Sequence, residues 1–315
     1  MIFSKKIISE MIWQCSKNSF FVRQILKPLG LRTNYKFYSG KNGRIALWQN
    51  KSILLTNLDK NYLSFELFWK GWEYYEPQTA ILINELLQEK NIFIDIGANI
   101  GYFSLAAACH FPSLKIFSFE PNPKLQEIFQ ENISINKHTI TYQPHALSDK
   151  TENQTFYIPE SDMSGTLEAT FNEKFVKKIT VPTLTLDDAL SCENLNGAIL
   201  LKIDTEGHEP AVIHGGKKIL ETYTPEIILE VTKDFDKEIL HWLKTIGYSF
   251  YQIGSTSLKY MDNLSLIHDK NFIFLNFLLT HKHKNEVRNL SDKVYSQCKH
   301  ISLKDTCLFR PQNNI

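Results

Sequence analysis

The chain has 315 residues, 43% hydrophobic and 22% charged, so it is long enough to bury a substantial core and shows no compositional sign of disorder or of a membrane-embedded fold. A formal net charge of +1 leaves no global electrostatic footprint for nucleic acid. The five cysteines, Cys15, Cys109, Cys192, Cys298 and Cys307, are scattered without C-x-x-C spacing, which points away from a disulfide framework or a zinc site and toward a reducing, cytoplasmic setting.

In chain order, Ile2, Phe3, Ile7, Ile8, Met11 and Ile12 fall at helical spacing, interleaved with Lys5, Lys6, Lys17, Arg23 and Lys27. Two readings of residues 1–27 stay open: peripheral contact with an acidic membrane surface, or a helix packed on the main domain. Between Tyr35 and Leu58, "YKFY", "RIALW" and "SILLT" read as short antiparallel strands, and "EPQTAILINELLQEK" reads as a helix with Pro77 near its start. Beyond residue 90 strands alternate with helices, the pattern of a doubly wound, mostly parallel α/β sheet. Strands are expected at 92–96, 115–120, 140–145, 199–204, 226–231, 249–253 and 271–276, with helices at 100–110, 122–136, 209–220 and 235–246. The polar stretch 151–182 reads as a lid or binding loop, and the tail after 277 as a loosely packed helical appendage.

The loop Asp95-Ile-Gly97-Ala98-Asn99-Ile-Gly101 follows a strand and opens a helix, a place where free backbone N–H groups and glycines let a ligand approach closely. It lacks the Gly-Lys-Ser/Thr of a Walker A loop and the third glycine of G-x-G-x-x-G, which leaves S-adenosylmethionine as the expected cofactor. Asp95 is then a charge partner for the ammonium of the methionyl group. Glu120, about twenty residues further on at the end of "KIFSFEP", suits the two ribose hydroxyls, and Ala146 and Leu147 in "PHALSD" suit the flanks of adenine. The segment "ILLKIDTEGHEPAVIHGG" gathers Lys202, Asp204, Glu206, His208 and Glu209 at a strand end. Its His208-Glu209…His214 spacing is not H-E-x-x-H, and no metal is assigned. An acid–base role fits better: Asp204 orients an acceptor hydroxyl, Glu206 lies beside it, and His208 takes the proton. Helix capping by Glu206 and Glu209 is the competing structural reading.

These stretches, with "YEPQT" at 75–79 and "PEIILEV" ending at 231, resemble the FkbM family of S-adenosylmethionine-dependent methyltransferases over roughly residues 70 to 276. The resemblance implies a Rossmann-like class I fold of seven strands, the last antiparallel, and O-methylation of a sugar or polyketide hydroxyl. It also implies a cofactor site built from Asp95, Gly97, Ala98, Asn99, Gly101, Glu120 and Asn122, with Glu76 and Asp204 nearby. The expected organisation is an N-terminal extension over 1–70, a methyltransferase domain over 71–276 and an appendage over 277–315. The acceptor is expected to be a small molecule or glycan. A nicotinamide-linked oxidoreductase and a catalytically silent cofactor-pocket scaffold are the rival functions.

Overall fold

The structure is a computed structural model and describes residues 11–15, 17, 19–26, 42–159, 165–168, 175–231, 235–262, 275–299 and 301. Helical residues 11–15 and helix α1 (Phe20–Leu26) pack on the main body through one face. Ile12 and Trp13 are buried, with Trp13 and Phe68 ring centroids 5.6 Å apart, and the Arg23 guanidinium lies 4.2 Å from the Phe68 centroid. Met11, Phe21 and Ile25 face outward. The rest of the basic segment and the strand expected at "YKFY" lie outside the described residues.

The other two expected N-terminal strands are present, as the antiparallel pair β1 (Gly43–Ala46) and β2 (Ser52–Leu55). Helix α2 (Tyr62–Lys70) follows, capped by the Asn61 side chain, which accepts from the Ser64 N–H at 3.1 Å. Helix α3 (Pro77–Leu87) starts with proline at its first position, where no backbone donor is needed.

The chain then alternates through β3 (Ile92–Ile96), α4 (Tyr102–His110), β4 (Lys115–Phe119), α5 (Pro123–Asn136) and β5 (Thr141–Gln143). It leaves the sheet for β6 (Ala146–Leu147), β7 (Asn153–Pro159) and β8 (Phe175–Leu184), passes the short helix α6 (Leu186–Ala189), and returns as β9 (Ile199–Ile203). After that come α7 (Glu209–Gly215), α8 (Lys217–Tyr223), β10 (Glu226–Val231), α9 (Lys237–Thr245), β11 (Ser249–Ile253), β12 (Leu258–Met261), β13 (Leu275–Thr280) and α10 (Lys284–Cys298). The main sheet runs β12-β11-β13-β10-β9-β3-β4-β5, parallel from β10 through β5, with β13 inserted antiparallel between β10 and β11. This is the doubly wound, Rossmann-like class I arrangement. Strands β3, β9 and β10 are buried at every position, as strands covered on both faces must be. One apolar cluster, with Phe93, Leu200 and Ile228, meets α3, α4 and α5; the other, with Ile94, Leu201 and Leu229, meets α7, α8 and α9.

Several elements differ from the expectation. An eighth strand, β12, extends the sheet by pairing antiparallel with β11. The strand expected at 140–145 divides: β5 stays in the main sheet, whereas Ala146–Leu147 pairs with β8 in a separate sheet of order β6-β8-β7. Within the loop expected at 151–182, residues 153–159 and 175–182 are instead strand, in the antiparallel pair β7–β8, where Phe156, Ile158 and Val181 bury a small core of their own, and residues 160–164 and 169–174 lie outside the described residues. The helix expected at 209–220 breaks between Gly215 and Gly216, where Gly215 lies so near the Ser148 carbonyl that a Cβ would stand 2.1 Å from its oxygen. Residues 271–274 lie outside the described residues and β13 continues to Thr280. The described part of the tail is not loosely packed: α10 buries Val287, Val294, Tyr295 and Cys298, and Gln297 donates to Glu85 of α3 at 2.9 Å, while 302–315 lie outside the described residues. Among the described residues no helix is long and apolar enough to cross a membrane.

Candidate active site

From β3 the chain moves outward through β4 and β5 on one side and through β9 and β10 on the other, so the crevice at the carboxyl ends of β3 and β9 is a topological switch point. The backbone knits the two loops there: Asp204 N–H donates to the Ile96 carbonyl at 3.0 Å, and the Gly97 and Ala98 N–H groups donate to the Phe119 carbonyl, each at 3.0 Å. Gly97 has φ +77°, and a Cβ on it would stand 1.7 Å from the Asp204 carbonyl oxygen; one on Gly101, at φ +83°, would stand 2.0 Å from the Phe129 ring. Protein atoms therefore stand where a side chain on either glycine would go. Gly97 lets the two loops meet, and Gly101 lets the start of α4 pack against Phe129 of α5.

Around this joint stands a group of carboxylates. Glu120, just beyond β4, is buried, and its two oxygens accept the N–H groups of Asn99 at 3.0 Å and Asn122 at 2.8 Å. Burial pushes its pKa up to about 7 against the pull of those amides. The Asn122 side chain faces the other way and caps α5 through Lys124 N–H at 3.1 Å. Asp95 is fully buried; Oδ2 accepts from Ser104 Oγ at 2.5 Å, while Oδ1 has no hydrogen-bond partner. Burial raises its pKa, opposed by Lys202 and Ser104. Lys202 is itself buried, with Nζ 2.7 Å from Asp204 Oδ2 and 4.9 Å from the Phe103 ring centroid. Burial works against its charge, but Asp204, Asp95 and Glu76 together hold its pKa above the ordinary lysine value. Glu76, the residue before α3, accepts from Asn276 Nδ2 at 2.9 Å, and burial lifts it to about 7 although Lys202 opposes this.

The loop after β9 is braced from within. Glu209 Oε1 accepts the N–H groups of Thr205 at 2.9 Å and Gly207 at 3.0 Å, and burial takes this carboxyl to about 7. It thus satisfies the loop before α7 in place of the helix capping expected of it. Glu206 adopts a left-handed backbone, φ +55°, and its carbonyl accepts from Thr166 Oγ1 at 2.9 Å. His208 Nε2 lies 2.9 Å from Ser148 Oγ and Nδ1 lies 2.6 Å from Glu168 Oε1. A neutral imidazole donates from one nitrogen and accepts at the other, so both are engaged, which counts against His208 as the proton acceptor. It ties residues 165–168, beside the hairpin, to the rim of the crevice.

The crevice takes in about 750 Å³, the solvent in its open mouth included. Of the residues named from sequence, Gly97, Ala98, Asn99, Glu120, Ala146, Leu147, Asp204, Glu206 and His208 line it; Asp95, Gly101, Asn122 and Glu76 stand behind the wall. Sequence reasoning missed the apolar wall of Tyr75, Tyr102, Phe103 and Phe156, and Thr166 and Leu167 from the far side. It also missed Glu230, a buried acid near the end of β10. The signal for Glu230 was a charge inside the otherwise apolar "EIILEV"; the hairpin residues left none.

Residues 95–250 match the family described as the methyltransferase FkbM domain. The chain is 25% identical over 174 residues to the hexuronic acid methyltransferase AglP of Haloferax volcanii, covering 55% of this chain and 70% of that protein. It is 28% identical over 153 residues to the 2-O-methyltransferase NoeI of Sinorhizobium fredii, covering 44% of this chain and 63% of that protein. Among solved structures it is similar to a methyltransferase FkbM from Methylobacillus flagellatus, at 13% identity and a TM-score of 0.31, covering 71% of this chain and 47% of that one. Residues 95–250 of the chain thus form a methyltransferase FkbM domain.

Proposed function

We propose that the chain transfers a methyl group from S-adenosylmethionine to a hydroxyl of a saccharide or similar polyhydroxylated acceptor. The observation that carries this reading is Glu120, a buried acid on the wall of the crevice fixed by two backbone N–H groups; an acid just past the second strand of such a sheet suits the two vicinal hydroxyls of a ribose. The charge balance fits the cofactor. S-adenosylmethionine carries a sulfonium and an ammonium against one carboxylate. The crevice offers Asp204, Glu206 and Glu120, the unpartnered Asp95 Oδ1 stands behind them, and the lysine on its wall is already paired with Asp204. The same acidity disfavours the pyrophosphate of a nicotinamide dinucleotide.

When bound, the cofactor supplies a methyl group already activated by its sulfonium, so the protein's share is chiefly to position the two partners. Ala146, Leu147 and Phe119, which line the crevice, would flank the adenine, and Asp95, buried behind the wall, would act on the ammonium through its charge. The Asp204 carboxylate orients the acceptor hydroxyl and receives its proton, while Lys202 beside it steadies the negative charge. Tyr75, Phe103 and Phe156 offer an apolar wall to the C–H face of a sugar ring. The names of the two relatives, which specify a hexuronic acid and a 2-O position, add support for a saccharide acceptor. The test is Asp204→Asn assayed for methyl transfer to a panel of monosaccharides and glycosides. Turnover should fall by about 100-fold or more, the scale of a lost acid–base group, while S-adenosylhomocysteine binding stays within about threefold of wild type, well under 1.4 kcal/mol. Full turnover in the variant would remove Asp204 from the chemistry.

A further inference from the structure

Side chains alternate along a strand, and in this sheet Asp95, Lys202, Asp204 and Glu230 fall on one face, the face shared by Phe93, Leu200 and Ile228. Leu229 is paired with Ile203, so Glu230 stands beside Asp204, the next residue of the neighbouring chain segment. Glu230 is 8% exposed, and its Oε2 has no hydrogen-bond partner. Among the described residues, the charged groups that act on it most are acidic: Asp204 and Glu206 from the loop after β9 and Glu209 from α7. The residue opposite it on β13 is the neutral Asn276, whose amide is engaged by Glu76. Lys202, on the same face of the neighbouring strand, is bound to Asp204 Oδ2.

A carboxylate buried among carboxylates, with an oxygen that receives no donor, is relieved by carrying the proton itself. We propose that Glu230 is a positioning residue of the methyl-transfer site: as a neutral carboxylic acid it donates a hydrogen bond to the Asp204 carboxylate and, with Lys202 on the other side, fixes Asp204 toward the crevice. Burial first, and then the Asp204 charge, hold Glu230 protonated well above the ordinary range of a glutamate. The pairing removes one negative charge from the site and restricts Asp204 to a single orientation without a second lysine. Only its consequence for catalysis rests on the methyltransferase reading; the pairing itself does not.

The test is infrared spectroscopy of the full chain at about pH 8.5, where carboxyls with pKa near 7, such as Glu76, Glu120 and Glu209, are more than about nine-tenths ionised. The carbonyl band of a protonated carboxyl should persist in wild type and vanish in Glu230→Gln, whose amide still donates to Asp204. It should weaken in Asp204→Asn, where residue 204 donates to Glu230 and lets it ionise. Circular dichroism confirms folding of each variant. A wild-type spectrum without the band, or a band that survives Glu230→Gln, overturns the proposal. Calorimetric titration of the same samples with S-adenosylhomocysteine separates the two ideas: no binding by any of them defeats the cofactor reading and leaves the infrared result to decide the Glu230–Asp204 pair.

Discussion

At the scale of single residues, the site depends on acids kept dry. Glu76, Glu120 and Glu209 are each lifted to about 7 by burial, and burial also raises Glu230 well above the ordinary glutamate value. An acid whose pKa is higher in the folded than in the unfolded chain holds more protons when folded, so its contribution is complete below about 4.5 and is lost as pH rises through the folded value. The thermal midpoint of the ligand-free protein should therefore fall between about pH 5 and pH 8, and scanning calorimetry across that range checks it. A midpoint that rises over the interval contradicts these assignments. Asp95, Glu120 and Asp204 were legible in the sequence because each stands at the end of an apolar strand. The protonation of Glu230 and the double engagement of His208 were not, since both depend on neighbours distant in the chain: Ser148 lies 60 residues from His208 and Glu168 lies 40.

At the scale of elements, strands β3, β9 and β10 were readable as continuous apolar runs, whereas the β7–β8 hairpin hid its alternation among polar residues and so looked like a loop. The two loop glycines were readable as glycines, but the reason for them was not. Gly97→Ala places a methyl group at the Asp204 carbonyl with φ +77° and should destabilise the fold by about 2 kcal/mol or more, measured by chemical denaturation; a variant as stable as wild type would show that the two loops do not meet as described. Asn132 of α5 is a second joint. It is fully buried, with Oδ1 accepting the Thr56 N–H at 2.7 Å and Nδ2 donating to the Ile100 carbonyl at 3.0 Å, so it clips the N-terminal hairpin to the crevice loop. Asn132→Ala leaves two buried partners unmet and should cost about 2–4 kcal/mol. Hydrogen exchange should quicken at Thr56, and an unchanged rate there would deny the clip.

Across the whole molecule, the sheet and its flanking helices position a rigid floor, while the small β6-β8-β7 sheet and residues 165–168 stand over it through Thr166–Glu206 and Glu168–His208. Glu168→Ala should loosen that contact and raise exchange at residues 165–168 without altering the main sheet; equal protection in the variant would show that the His208 link does not hold them. The general architecture was legible because alternating strands and helices admit few topologies. The packing of the tail on α3 was not, because α10 is polar on most of its surface and buries only a narrow stripe. The central claim is that the acidic switch-point crevice holds S-adenosylmethionine through Glu120. Isothermal titration of wild type and Glu120→Ala with S-adenosylhomocysteine tests it most directly. The account predicts wild-type binding in the micromolar range and a loss of about tenfold or more in the variant, at least 1.4 kcal/mol; equal affinity in the two proteins, or no binding by the wild type, would contradict it.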